Sequence, residues 1–376
     1  MPNNSPATQY NTRQSRFLTA IQAVGIDALA LNAGPTLAYL TGLHFHLSER
    51  PVIGIFSPGE QPTIFLPELE GRKVENLPFA VNVFLYGEDP LSWGNTLSDA
   101  VKPLNLEGRK IGVEPRRFRV LELRLLEEAI PHAQILSGED CIAGLRMQKD
   151  QAELAAMRQA IVTAQNALSA ILPAIKSGLT ERQLASALTL ELLRNGSDPE
   201  MPFAPIIASG PNSANPHAVP TDRQLQLGDM LIVDWGASVA GYISDLTRTF
   251  VLGEPEPEFS QIAHIVVEAN AAARQQAKPG VPAGLLDQTA REVIEKAGYG
   301  EFFTHRTGHG LGLEPHEEPY IRKDNPLVLA PGMTFTIEPG IYLPGRGGVR
   351  IEDNLVITES GSETLSDFPR ELGLLQ

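Results

Sequence analysis

Hydrophobic positions in the second half of this chain repeat with two periods. Leu154, Met157, Ile161, Ala164, Leu168 and Ile171 recur at helical spacing, which predicts a long helix with a buried stripe, stopped by Pro173. Thr180-Glu181-Arg182-Gln183 is a capping box for a second helix, closed at Asn195-Gly196. Glu258 to Ala277 and Ala283 to Ala297 read as two further helices, the latter ended by Gly298. Between and after these pairs the period drops to two, or the run is wholly apolar. Leu231-Ile232-Val233-Asp234-Trp235-Gly236 and Ser244-Asp245-Leu246-Thr247-Arg248-Thr249-Phe250-Val251 read as strands, as do Thr334 to Glu338 and Gly348 to Ile357. Two helices and a hairpin, followed by two helices and a hairpin, make an internal duplication about a pseudo-two-fold axis.

The first part alternates short strands with helices. Residues 1–12 are polar and predicted to be disordered; Ser15 to Val24 reads as a short helix ending at Gly25. Strand signals follow at Ala28 to Leu31, Pro51 to Phe56, Thr63 to Leu66, Ala80 to Leu85 and Lys110 to Val113. Helical patterns lie at Thr36 to Leu40, Trp93 to Val101 and Phe118 to Ala129. This alternation predicts an α/β domain with a mixed sheet. Asn32-Ala33-Gly34-Pro35 reads as a plain turn, not a cofactor loop. His44 and His46 alternate as they would on a strand, where they face a ligand or lie at the surface. With a boundary between Gly144 and Gln151, the expectation is two domains, 1–145 and 146–376, and an α+β protein overall.

The strands of the second domain carry acids. If the loop Ala237-Ser238-Val239-Ala240-Gly241 turns near Val239 and Ala240, Asp234 and Asp245 face each other across a hairpin, with Cβ atoms about 5 Å apart. The middle of Pro344-Gly345-Arg346-Gly347-Gly348 lies halfway between Glu338 and Glu352, so these too are opposed. Four carboxylates buried together without countercharge are costly. A pair of divalent cations removes that cost, because carboxylates can bridge ions roughly 3.5–4 Å apart. His309, in Thr307-Gly308-His309-Gly310-Leu311-Gly312, supplies a nitrogen ligand between glycines that allow close backbone approach. Oxygen-rich ligation with one imidazole favours Mn²⁺, then Co²⁺ or Zn²⁺.

Composition narrows the class. The 376 residues are 42% hydrophobic and 20% charged, ordinary for a soluble protein. A formal net charge of −15 disfavours nucleic acid and anionic membrane surfaces as partners. Cys141 is the single cysteine, which excludes an intrachain disulfide and a thiolate metal cluster, and a buried inert thiol is expected. Met1 to Arg16 lacks the apolar core of a secretory signal, and no run approaches the ~20 apolar residues of a membrane span, so a cytoplasmic location is expected.

The order of local motifs is specific. An aspartate, a second one in Asp245-Leu246-Thr247-Arg248-Thr249-Phe250, His309 in Gly308-His309-Gly310-Leu311-Gly312, Glu338 in Ile337-Glu338-Pro339-Gly340 and Glu352 in Arg350-Ile351-Glu352-Asp353 resemble the metal signature of the Xaa-Pro peptidases. These are the aminopeptidase P and prolidase enzymes of the pita-bread metallopeptidase family. The match covers roughly residues 150–376, and residues 1–145 resemble the family's smaller leading domain with weaker motifs.

The resemblance implies a dinuclear hydrolase that cleaves the bond before proline in dipeptides or at peptide N-termini, through a hydroxide shared by the metals. It assigns Asp234 and Asp245 to one metal, Asp245, His309 and Glu338 to the other, and Glu352 as a bridge. His217 and His316 match histidines that hydrogen-bond the substrate carbonyl or the tetrahedral intermediate, an oxyanion role. His305 matches a histidine near the site, as substrate contact or scaffold. Arg350, two residues before Glu352, either pairs with a ligand carboxylate or binds the substrate carboxylate. Tyr242 and Arg248, which flank Asp245, read as packing or as support behind the ligands, Asp353 and Asn354 as hydrogen bonders at a strand end, and Glu317 and Glu318 as solvated. Phe203, Ile206 and Ile207 are candidates for a proline pocket. The family also implies a homodimer. Rival readings are a methionine-aminopeptidase-like exopeptidase, disfavoured by the large leading domain, and a creatinase-like or partner-binding protein, disfavoured by the complete ligand set.

Overall fold

The run Ala28-Leu29-Ala30-Leu31 forms a fully buried strand, Ala28–Asn32, at the middle of a six-stranded sheet. The computed structural model describes residues 6–375. Across this first sheet the order is Asn82–Tyr86, Thr63–Pro67, Ile53–Phe56, Ala28–Asn32, Lys110–Val113 and Gln134–Ser137. The inner three strands pair antiparallel, and the outer pairings are parallel, a mixed sheet. The turn at Ser57-Pro58-Gly59-Glu60 sets the register Ile55↔Thr63, with Gly59 at φ 84°. Trp93, Leu97, Val101, Leu125 and Leu126 from helices Trp93–Val101 and Val120–Ala129 cover the sheet. Each such buried apolar side chain contributes about 1.5–3 kcal/mol.

The sequence reading of this unit changes at two points and misses two elements. The first helix runs from Pro6 to Ala23, so residues 6–12 are helical rather than disordered, while residues 1–5 lie outside the described residues. His44 and His46 belong to no strand, and their exposure matches the surface alternative. A strand, Gln134–Ser137, and a helix, Glu139–Arg146, were not legible in the sequence. Cys141, on that helix, is buried as expected.

The chain divides into two compact units between Arg146 and Met147. In the second unit, helices Gln151–Ile171 and Glu181–Arg194 precede one set of strands, and Pro257–Gln276 and Ala283–Lys296 precede another. Both helices of the first pair start on reciprocal caps, Asp150 with Glu153 and Thr180 with Gln183. Gly373–Leu375, Leu246–Leu252, Met230–Trp235 and Ile206–Ser209 form a four-stranded sheet. Glu317–Ile321, Gly308–Gly310, Thr334–Ile337, Asp353–Ile357 and Ser362–Thr364 form a five-stranded one. A single bridge, Thr247↔Glu352, joins them. The helical stripe Ile161, Ala164, Leu168, Ile171 packs with Leu184 and Leu188 on Leu231, Val233 and Trp235, so the helices back the sheet and leave its other face for the acids. Each half also contains a strand the pattern did not reveal, Ile206–Ser209 in one and Glu317–Ile321 in the other. No helix among the described residues is long and apolar enough to cross a membrane.

Candidate active site

The Met230–Trp235 and Leu246–Leu252 strands pair with Thr247 opposite Asp234. Their turn centres on Ala240 and Gly241, both at positive φ (52° and 78°), one residue later than the sequence suggested. Asp245 therefore lies two positions before the partner of Asp234, on the same face but diagonal to it, and just outside the strand. The second hairpin matches expectation. Thr334↔Val356 and Ile337↔Asp353 on one side of it and Gly340↔Arg350 on the other share one register, in which Glu338 and Glu352 are opposed.

These four acids and His309 converge. Single ligand atoms of Asp245, His309 and Glu352 lie within 4.8 Å of one another, and all three residues are buried. His309 Nε2 is 3.7 Å from Asp245 Oδ2 and 3.3 Å from Glu338 Oε1. Thr247 donates to Glu352 Oε2 at 2.7 Å. Asn354 holds Asp245 by its backbone, accepting from the Asp245 N–H at 3.1 Å and donating to its carbonyl. Glycine is required at 308, because a Cβ there would overlap the Thr336 carbonyl and push His309 away.

The electrostatics are those of four clustered acids with one paired guanidinium among them, that of Arg350. Burial lifts Glu338 to about 7. Burial, then repulsion from Glu352, Asp234 and Glu338, holds Asp245 well above the usual carboxylate range. Burial, then Glu338 and Asp234, does the same to Glu352. Asp234 is raised by burial against the pull of Arg350. Burial pushes His309 well below its usual value, so its ring is neutral. Its Nδ1 faces the Gly310 carbonyl at 3.1 Å and must carry the proton, which leaves a bare Nε2 lone pair aimed at two carboxylates. Asp234 Oδ1 is buried without a hydrogen-bond partner. A bare imidazole nitrogen, an orphaned carboxylate oxygen and four converging acids fit divalent cations and fit little else. The backbone hydrogen bond on the far nitrogen is how metal-binding histidines are oriented.

A model of metallopeptidase family M24 matches residues 155–359, and a model of the creatinase/prolidase N-terminal domain matches residues 13–148. The chain belongs to metallopeptidase family M24. It is 36% identical to a Xaa-Pro dipeptidase of Pyrococcus horikoshii over 96% of this chain and 99% of that one. The solved structure of a prolidase from Thermococcus sibiricus superposes with a TM-score of 0.92 at 35% identity, covering 97% of this chain and 99% of that one. An X-Pro aminopeptidase from Thermotoga maritima superposes with a TM-score of 0.84 at 31% identity, covering 96% and 99%. The architecture is accordingly the pita-bread fold with its leading domain, and the protein is a metallopeptidase.

In this M24 unit, the other sequence-predicted residues surround the cluster with different degrees of freedom. Arg350 is buried and fully engaged: Nη2 donates to Asp234 Oδ2 at 2.6 Å, Nη1 to the Tyr342 hydroxyl at 3.0 Å and the Pro216 carbonyl at 3.2 Å, and Nε to Thr247 at 3.2 Å. Of its two expected roles, the geometry matches the pairing with a ligand carboxylate. His305 donates from Nδ1 to the Arg306 carbonyl at 2.7 Å, so its Nε2 accepts from Tyr342 at 2.8 Å. Burial, then Arg350, depresses His305 to about 3, which keeps it neutral and leaves neither nitrogen for a substrate. His316 is exposed, its ring 4.3 Å from that of His309. His217 is exposed on the segment whose Pro216 carbonyl binds Arg350, and it is an electrostatic neighbour of Asp234 and His316.

Several expectations are corrected. Ile207 is fully buried in the helix-backed core, not in a pocket, whereas Ile206 pairs with Asp234 and shares its face. Glu317 is not solvated; it is paired with Lys149 at 2.5 Å, and Glu318 accepts the Tyr320 N–H at 2.9 Å. Tyr242, read as packing or as support behind the ligands, donates to Glu153 at 2.6 Å. Arg248 is a buried strut whose Nη1 donates to the carbonyls of Thr247 and Glu352, at 2.8 and 2.6 Å, fastening the hairpins together, while Asp353 accepts from its Nη2 at 2.9 Å. Sequence reasoning did not single out Tyr342, Thr247 or Arg306. Tyr342 sits four residues past Glu338 with its hydroxyl raised to about 12 by burial, and only its three-dimensional partners reveal it. Arg306 immediately precedes the glycine-rich segment of His309. Its guanidinium stacks 4.4 Å above the Tyr320 ring, and its charge reaches His309, His316 and Glu338.

Proposed function

We propose that the protein is an Xaa-Pro peptidase with a dinuclear metal centre held by Asp234, Asp245, His309, Glu338 and Glu352. The reading is carried by the unprotonated His309 Nε2 directed at two carboxyl groups, a nitrogen-and-oxygen donor set that a divalent cation would hold together. Its substrate class is supported by likeness to the Xaa-Pro dipeptidase and prolidase named above. Carboxylates and one imidazole suit Mn²⁺ first, then Co²⁺ or Zn²⁺. When bound, two such ions supply an acidified water and an electrophile for the scissile carbonyl.

The remaining work falls to the chain. Beyond burial, Glu352 raises the proton affinity of Asp245, and Asp234 and Glu338 raise that of both, a repulsion that bound cations would relieve. Asp234 is oriented by Arg350, which in turn is fixed through Tyr342 to His305. His316 and His217 are the imidazoles left exposed beside the centre, available to donate to the substrate carbonyl oxygen as negative charge develops on it. Loss of such a donor costs about 10²–10³ in kcat. Ile206 lies opposite Asp234 and Phe203 lies beside Gly236, two residues further along, where an apolar ring can rest. A cytoplasmic homodimer completes the proposal.

The direct test is hydrolysis of Xaa-Pro dipeptides and Xaa-Pro-Yaa tripeptides by purified protein with added Mn²⁺. Activity lost with a chelator and restored by metal supports the reading. Cleavage of Met-Ala with no cleavage before proline would replace it by a methionine-aminopeptidase-like activity.

A further inference from the structure

Helix Glu181–Arg194 begins with a carboxylate that is completely buried. All the side-chain donors and amides it accepts from belong to one segment, residues 209–221. Its Oε1 accepts from the Ser209 N–H and the Ser209 hydroxyl, both at 2.7 Å. Its Oε2 accepts from Asn212 Nδ2 at 2.9 Å, the Thr221 N–H at 2.9 Å and the Thr221 hydroxyl at 2.7 Å. Both ends of the segment are thus tied to a single group. Nearer its middle, Ser213 accepts from the Gly348 N–H at 2.9 Å and the Pro216 carbonyl accepts from Arg350 at 3.2 Å. The next residue is His217, whose ring is exposed and makes no hydrogen bond among the described residues.

The other half of the duplication repeats the device. Asp287, completely buried in helix Ala283–Lys296, accepts from the Thr307 N–H and hydroxyl at 2.9 Å each. Its partner Arg291 donates to the Phe303 and His305 carbonyls at 3.0 and 2.9 Å. In each half, an acid on the second helix holds the backbone of a segment that carries a histidine to the site.

We propose that Glu181 is the positioning residue for His217: it clamps the 209–221 segment so that an otherwise unsupported imidazole is held at the metal centre. The proposal rests on the reading of His217 as a donor to substrate. A carboxylate is needed because five donors converge on two oxygens. Glutamine would present an NH₂ group to N–H and hydroxyl donors and leave buried groups unpaired. Displacements of about 1 Å at a reacting group can cost 10²-fold in rate.

The test compares Glu181→Gln, Thr221→Val and His217→Ala, alone and combined, in the full-length protein. Thr221→Val removes one donor and leaves the carboxylate in place, so it serves if Glu181→Gln does not fold. Expected are a roughly 10- to 100-fold lower kcat on an Xaa-Pro dipeptide for Glu181→Gln and about 3-fold for Thr221→Val, with Mn²⁺ affinity within about 2-fold of the parent. In the His217→Ala background each added substitution costs less than about 2-fold, because the group it positions is gone. Amide exchange, measured without metal, rises in residues 209–221 and is unchanged in 308–310. An equal kcat loss with or without His217, or unaltered exchange in 209–221, overturns the proposal. If the parent cleaves no Xaa-Pro peptide, the functional reading fails by itself, and the clamp is decided by exchange alone.

Discussion

Arg350 reaches Asp234 with a 2.6 Å hydrogen bond, while the other oxygen of the same carboxylate is buried with no partner. The guanidinium is the cation directly paired with the acid cluster. Burial opposes its charge, but Tyr342, Asp234, Glu338 and Glu352 hold it well above its usual value. Removing one member of a buried pair costs about 3–5 kcal/mol. Arg350→Met is therefore expected to destabilise the metal-free protein by about 3 kcal/mol at pH 7.5, with part of the loss recovered on adding Mn²⁺. Denaturant titration with and without metal checks this. Equal destabilisation in both conditions would place Arg350 outside the electrostatics of the centre.

The raised carboxylates set a pH dependence. Asp245, Glu338 and Glu352 hold protons in the folded, metal-free state at pH values where the unfolded chain has lost them. The folded state then binds more protons, so stability falls as pH rises. The depressed His305, His309 and His316 give the opposite slope, but only below the unfolded histidine value of about 6.5. Above about pH 6.5 the carboxylates decide the sign. Thermal unfolding of metal-free protein should shift to lower temperature from pH 6.5 to 8.5. Added metal should reverse that trend and release protons into a weakly buffered indicator solution. A rising metal-free melting temperature over this window contradicts the cluster electrostatics.

Arg306 offers a free cation beside the centre: it stacks on Tyr320 and pairs with no acid among the described residues. One charge-assisted hydrogen bond corresponds to about tenfold in binding. Arg306→Gln is expected to raise KM for Xaa-Pro dipeptides about tenfold, and to affect the corresponding Xaa-Pro amides less. Steady-state kinetics on the two series check this, and equal effects on both would exclude contact with the substrate's free carboxylate.

What the sequence made legible follows from how local each determinant is. The helix pairs were readable because their stripes and caps lie within a few residues, as at Asp150 with Glu153 and Thr180 with Gln183. Glu338 and Glu352 could be opposed correctly because the glycine-rich loop between them is symmetric about Gly345. Asp234 and Asp245 could not, since the turn places Ala240 at positive φ, where alanine gives no signal. Thr247, Tyr342 and Glu181 act through partners eight to more than a hundred residues away, which no local pattern encodes. The misreading of Glu317 has the same origin, because its partner Lys149 lies 168 residues earlier.

The central claim is that four acids and His309 form a cage for two divalent ions. It is tested most directly by counting ions: equilibrium Mn²⁺ titration of the metal-free protein, followed by elemental analysis, for the parent and for Asp245→Asn. The account predicts two ions per chain in the parent, at most one weakly held ion in the variant, and no peptidase activity in the variant. A parent that binds no ion, or an Asp245→Asn protein that keeps both ions and full turnover, would contradict it.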